Sequence, residues 1–428
     1  MRQQISAKEL VSYGSLAIPL SFAGISIYVN APDYYATQYG MSLGVLGLAL
    51  LALRFIDGIQ DPIIGYLSDR NIHKRKLFMP LSLIILGISF FMLFSPVTSH
   101  YLIWFVLMIF ISTTAFSILT INLNSIGAMW SRNSDQKTTI AAYREICGII
   151  GLLIAITMPS ILQIHMSKVS AFFIMGLTLL VFISLTLPVF FSLSDKIILK
   201  NSSSKKLNVT SLPKIPDKIK RFYIIYALSM LASSIPAVLV LFFIRDRLDL
   251  ENYTGLFLLT YFASGAIGIP LWKKLSIKKS KNIVWLYSML LAIIVFFWAT
   301  FLSEGNLWQY LVICLLSGIA FGADLVLPHS ILADYTDNKK DSKHSSFYYG
   351  ILAFLAKLSF ALAAAISLPL LESQGFAPAK ANSDHALLVL SITYGAIPCV
   401  IKIFSILLLR RMTNAKKTDY HRSFNNAK

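Results

Sequence analysis

Hydrophobic positions fill this chain in long blocks, without the stripes of a half-buried surface element. Apolar runs of roughly 20 residues, about the span of a bilayer, recur from end to end between short polar stretches. They predict twelve helices, over residues 11–36, 42–66, 77–98, 101–130, 140–164, 169–193, 221–244, 253–273, 283–303, 307–334, 345–371 and 385–410. The fold class is therefore an all-α polytopic membrane protein. The first run contains Pro19 and polar residues and has no small-residue cleavage site, so it reads as a retained helix and not a signal peptide. Residues 194–220 are rich in Lys and Ser, carry Asn201, Asn208, Pro213 and Pro216, and show no apolar period. They read as a cytoplasmic linker. It divides the chain into two sets of six helices, 1–193 and 221–410, followed by a tail over 411–428.

The second apolar run is interrupted in a specific way. Arg54, Asp57 and Asp61 stand within it at i, i+3 and i+7, which puts all three on one helix face. A charge at the centre of a membrane helix costs roughly 2.5 kcal/mol or more, so this face meets partners, water or a cargo in place of lipid. Lys357, among Leu355, Ala356, Leu358 and Phe360 in the eleventh run, is the expected partner for the two acids. A working ion site and a purely structural ion pair are both open readings, although buried pairs contribute little net stability.

Other polar residues fall inside apolar runs. Arg144 and Glu145 are adjacent in the fifth and diverge by about 100° around a helix, which makes a shared partner difficult. Arg144 suits an anionic group of a cargo, or a structural tie near the cytoplasmic side. In the tenth run, Asp324 reads as a substrate or proton contact. His329 reads as a packing histidine beyond the kink expected at Pro328. Asn30–Tyr35 reads as the periplasmic end of the first helix, with Asp33 a solvated acid.

Composition sharpens this picture. Only 14% of residues are charged, against roughly 25% in a soluble protein. The net charge of +18 invites a nucleic-acid partner, but the basic residues cluster in alternate loops: Arg70 to Lys76, Lys196 to Arg221, Lys273 to Lys281, Lys339 to Lys343, and the tail from Arg410. That alternation places both termini in the cytoplasm and the basic loops against anionic lipid headgroups, with no nucleic acid. Cys147, Cys314 and Cys399 lie in predicted helices at no metal or pairing spacing. No phosphate loop, zinc motif or Ser/His/Asp arrangement appears, so neither an enzyme nor a cofactor is expected. A sensor has no soluble output domain to use.

Two six-helix sets about a long cytoplasmic linker resemble the major facilitator fold, whose halves rock around a central site. Gly65-Tyr66-Leu67-Ser68-Asp69-Arg70, followed by Lys74-Arg75-Lys76, resembles that fold's loop between helices 2 and 3. The resemblance implies a conformational latch at Gly65, Asp69 and Arg70, with Asp69 just past the helix end. Arg54-x-x-Asp57-x-x-x-Asp61-Pro62-x-x-Gly65 looks like helix 2 of the glycoside–pentoside–hexuronide:cation symporters, the melibiose permease family. Ser12-Tyr13-Gly14, Arg144, Leu332-Ala333-Asp334-Tyr335-Thr336-Asp337 and Lys357 agree in order and spacing.

By this resemblance Asp57 and Asp61 hold the coupling cation, assisted by Ser117, with Gln60 where the family often has an asparagine. Na⁺ and H⁺ both remain open as the coupling ion: neutral oxygens beside two carboxylates suit Na⁺, and two buried carboxylates alone suit H⁺. Lys357 and Arg54 are the implied charge partners. The melibiose-type sugar site uses one aspartate in helix 1 and one in helix 4, but Ser21 and Thr120 occupy those positions. The expected substrate contacts are therefore Ser21, Thr120, Arg144, Glu145 and Asp324. The implied function is cation-coupled transport of a small organic solute across the inner membrane, by a monomer. The cargo is a sugar or glycoside by family. The alternative is a lysolipid or other amphiphile, since the superfamily includes lysophospholipid symporters.

Overall fold

The structure is a computed structural model and describes residues 5–202, 213–337, 341–378 and 380–425. Among these residues it has twelve long helices and no strand. They are α1 (7–39), α2 (Leu43–Arg70), α3 (Arg75–Leu93), α4 (Tyr101–Trp130), α5 (Ser134–Gln163), α6 (Lys168–Ser202), α7 (217–247), α8 (Thr254–Lys278), α9 (281–301), α10 (Leu307–Tyr335), α11 (Ser345–Ser373) and α12 (384–425). Eleven are long and apolar enough to cross a membrane; α2, which carries Arg54, Asp57 and Asp61, is the other.

Local chemistry explains several boundaries. Ser6 and Glu9 form a reciprocal capping box that starts α1. The helix does not end at Asn30–Tyr35, as expected from Pro32 and the tyrosines. It continues to Tyr39 and stops at Gly40, whose φ of 63° is left-handed. Pro32 has no N–H to donate, and a π-helical stretch, Ser26–Asn30, precedes it and carries the helix onward. Asp33 is solvated as expected, with its side chain 63% exposed, but it lies within the helix and pairs with Lys168 of α6 at 2.5 Å. Two more π stretches occur, Phe243–Arg247 in α7 and Ile392–Ala396 in α12. Within 194–220, helix persists to Ser202 and resumes at Asp217 behind Pro216. Positions 203–212 lie outside the described residues.

The chain forms two compact units, Met1–Pro213 with Leu332–Phe354, and Lys214–Ile331 with Leu355–Lys428. The first is built around Phe22, Tyr34, Tyr35, Phe90, Phe94 and Phe105, all buried. Tyr34 and Tyr35 donate their hydroxyls to the carbonyls of Phe94 and Leu93, which satisfies polar tips in an apolar core. In the second unit Phe243 stacks on Tyr394 at 4.0 Å between ring centroids, and the Tyr394 and Tyr310 hydroxyls are 2.7 Å apart. Both partners of the stack lie in π stretches.

Candidate functional site

The charged face of α2 is buried in the first unit: Asp57 is 2% exposed and Asp61 0%. Three neutral groups converge on Asp57. Ser117 of α4 donates to Oδ1 at 3.1 Å, Gln60 donates its amide N–H to Oδ1 at 3.1 Å, and the Tyr28 hydroxyl donates to Oδ2 at 3.2 Å. Gln60 in turn accepts from Thr114 at 3.3 Å through its carbonyl oxygen. The guanidinium of Arg54 lies 3.3 Å from the centre of the Tyr28 ring, a cation–π contact. Arg54, Asp57, Gln60 and Ser117 are thus brought together around Tyr28 and one another. Tyr28 and Thr114 are additions. Tyr28 reaches Asp57 from the π stretch of α1, and its only sequence signal was a polar-tipped ring in an apolar run.

The same helix is pressed against the start of α11. A methyl group on Gly65 would collide with the carbonyl oxygen of Ser346 and come within 2.8 Å of the Phe347 Cα. A methyl group on Gly350 would stand 2.5 Å from the Asp61 carbonyl oxygen. Glycine on both surfaces allows this approach. At the end of α2, Asp69 accepts from the backbone N–H groups of Ser346 at 3.0 Å and Phe347 at 2.8 Å. A carboxylate at the positive end of a helix is favourably placed. Asp69 does not follow the helix end, as expected, but sits in its last turn. The base that meets it is Arg75, at 3.0 Å, which also reaches Ser346 Oγ at 2.5 Å. Arg70 points out of the last turn and is exposed.

A complementary contact joins α5 to the end of α10. The buried Lys137 ammonium donates to the Ala333 carbonyl at 3.1 Å and lies 3.6 Å from Asp334 and 3.1 Å from Asp337. A cation thereby faces a helix C-terminus. Sequence reasoning picked out the Asp334–Asp337 segment and missed the lysine, because Lys137 precedes the apolar run of α5.

Asp324 lies in the second unit. It is 7% exposed and forms an ion pair with Lys402 of α12 at 2.6 Å. Trp285 donates its indole N–H to Asp324 Oδ1 at 2.7 Å, and Lys402 donates to Ser233 at 3.0 Å. Lys402 was missed, although it is the lone charge between Tyr394 and Arg410. The pair borders a cavity of about 200 Å³, lined mainly by aromatic and aliphatic side chains.

The remaining candidates are separate from these clusters. Arg144 is 8% exposed and folds back onto its neighbour Glu145; the two directions diverge around the helix, and two long flexible side chains close that gap. Ser21 packs on α5, its Oγ 2.9 Å from where a methyl on Gly148 would sit. Thr120 is half-buried on α4, with its hydroxyl oxygen buried and making no hydrogen bond. Lys357 is half-buried in the second unit, whereas Asp57 and Asp61 belong to the first. The His329 ring bonds the Leu325 carbonyl at 2.9 Å. Among the described residues no three His, Cys, Asp or Glu side chains are grouped to hold a metal.

Comparison with known proteins is consistent across sequence and fold. The family profile described as "MFS/sugar transport protein" matches residues 10–414. The uncharacterized symporter YjmB of Bacillus subtilis is 24% identical over 96% of this chain and 94% of its own. The isoprimeverose transporter of Lactiplantibacillus pentosus is 23% identical, covering 91% of this chain and 84% of its own. Among solved structures, a bacterial homologue of the iron transporter ferroportin, in an outward-facing state, superposes with a TM-score of 0.69. It is 13% identical and covers 96% of this chain and 100% of that one.

Proposed function

The chain belongs to the family of MFS/sugar transport proteins, and from that premise we propose that it is a cation-coupled symporter whose coupling site is Asp57 with Asp61. The observation that carries this reading is the set of three neutral donors on one buried carboxylate, from Ser117, Gln60 and Tyr28. Without an added cation they satisfy Asp57 as a desolvated acceptor. When Na⁺ enters, the hydroxyl oxygens of Ser117 and Tyr28 turn from donating to Asp57 to ligating the ion. Gln60 exchanges ends, so that its carbonyl oxygen faces the site and its N–H₂ faces Thr114. A proton instead binds Asp57 or Asp61 directly.

Arg54 acts as a charge that a bound cation displaces. The halves 1–193 and 221–410 are the bodies that rock, and Gly65 with Asp69 acts as the latch, with Arg75 in the role first given to Arg70. The protein works as a monomer in the inner membrane with both termini in the cytoplasm. The cargo is a small sugar or glycoside, in line with the transport activity named for the isoprimeverose relative. Ser21, Thr120, Arg144 and Glu145 of the first unit are its contacts, and the loss of carboxylates at Ser21 and Thr120 favours an amphiphile as the second reading.

Uptake into proteoliposomes under an imposed Na⁺ or pH gradient tests the coupling. One gradient is expected to drive accumulation, and Asp57→Asn and Asp61→Asn each to abolish it. Intact gradient-driven uptake in both variants would overturn the assignment.

A further inference from the structure

The cavity in the second unit has a chemistry that the coupling site does not explain. Its walls include Phe257, Tyr261, Phe262, Phe296 and Phe321. Several of its polar groups are spent on one another. Tyr310 and Tyr394 share a hydrogen bond, and Ser317 bonds the Cys314 carbonyl at 3.5 Å. Asp324 accepts from Trp285 and Lys402. Lys402 uses two of its three donors, on Asp324 and Ser233, and an ammonium carries three. A free sugar in this space would bury several hydroxyls without partners, each costing roughly 1–3 kcal/mol. An anion would add a negative charge beside a lysine that Asp324 already neutralises.

We infer that this cavity binds the apolar part of the cargo: an uncharged aryl or short alkyl group ending in a hydrogen-bond acceptor that takes the third N–H of Lys402. The inference rests on the transport reading only in calling the ligand a cargo. An amphiphilic solute, such as a glycoside with an apolar substituent, would place that substituent here and leave its hydroxylated part outside.

The test uses the full chain in lipid nanodiscs, because a detergent would compete for an apolar cavity. Neutral 4-nitrobenzyl alcohol is titrated against 4-nitrobenzoate and glucose, with tryptophan emission as the readout. Trp285, bonded to Asp324, is the nearby fluorophore. Saturable quenching by the alcohol is expected, with at least tenfold weaker binding in Ala292→Phe, which fills the cavity and leaves the ion pair intact. The double variant Asp324→Asn, Lys402→Met is expected to weaken binding similarly, and Trp285→Phe to remove most of the quench. Absence of saturable quenching beyond that of empty nanodiscs, equal binding in Ala292→Phe, or preference for 4-nitrobenzoate or glucose would overturn the inference. Asp57→Asn separates the two proposals: it is expected to stop gradient-driven uptake and leave quenching unchanged.

Discussion

Ser117 of α4 and Asp57 of α2 are 3.1 Å apart, hydroxyl to carboxylate, within the first unit. This contact fixes which oxygen of Asp57 is held and leaves Tyr28 to hold the other. In the proposed cation-bound state the Ser117 oxygen turns to the ion, so Ser117→Ala removes a ligand. It is expected to raise the half-saturating cation concentration for uptake roughly tenfold while transport persists, as loss of a group supporting a bound metal commonly does. Asp57→Asn is expected to abolish coupling altogether. Cation titrations of uptake in proteoliposomes check both.

Tyr28 makes two separable contacts, a hydroxyl to Asp57 and a ring beneath Arg54. Tyr28→Phe keeps the ring and removes only the hydroxyl. It should weaken cation dependence and lower stability by roughly 1–3 kcal/mol, the cost of taking a donor from a buried acceptor. Tyr28→Ala also loses the cation–π contact, worth roughly 0.5–2 kcal/mol, and opens a void. A larger fall in unfolding temperature for Ala than for Phe is the expected ranking.

At the end of α2, Gly65→Ala forces a methyl group into the backbone of Ser346. Overpacking of this kind costs roughly 1–3 kcal/mol. Asp69→Asn leaves the Arg75 guanidinium, only 1% exposed, buried without its anion, a loss of roughly 3–5 kcal/mol. Arg70 is exposed and meets no buried partner among the described residues, so Arg70→Ala should fall within about 0.5 kcal/mol of the parent. Thermal unfolding of the three variants in one detergent orders them. A destabilised Arg70→Ala beside an unaffected Asp69→Asn would contradict the assignment of Arg75 as the paired base.

The Asp324–Lys402 pair gives a sign-changing comparison. Lys402→Met alone strands a buried carboxylate and should destabilise by roughly 3–5 kcal/mol. Adding Asp324→Asn removes the stranded charge and should recover much of that loss. A double variant less stable than Lys402→Met alone would show that the two residues do not act as a pair. Thermal shift measurements on both provide the readout.

The helix count, the charged face of α2 and the order of its residues were legible because bilayer span and helical period leave direct traces in sequence. The span predicted for α4, 101–130, coincides with Tyr101–Trp130. The end of α1 was misplaced because Pro32 usually marks a boundary, and a π stretch absorbed it. Lys402 and Lys137 were passed over because a lysine in a long helix is legible as charge, while its partner is set by packing. Lys402 meets Asp324, 78 positions away, and Lys137 meets Ala333, 196 positions away.

The sequence by itself determined that the chain is a bundle of membrane-spanning helices with Arg54, Asp57 and Asp61 on one buried face, because the cost of charge in hydrocarbon and the 3.6-residue period depend only on local order. Tertiary structure decided the rest. It set which hydroxyls reach Asp57, that Arg75 rather than Arg70 meets Asp69, and that Asp324 is neutralised at the edge of an aromatic cavity. Those choices depend on how closely helices approach, and glycine contacts such as Gly65 on Ser346 set that distance.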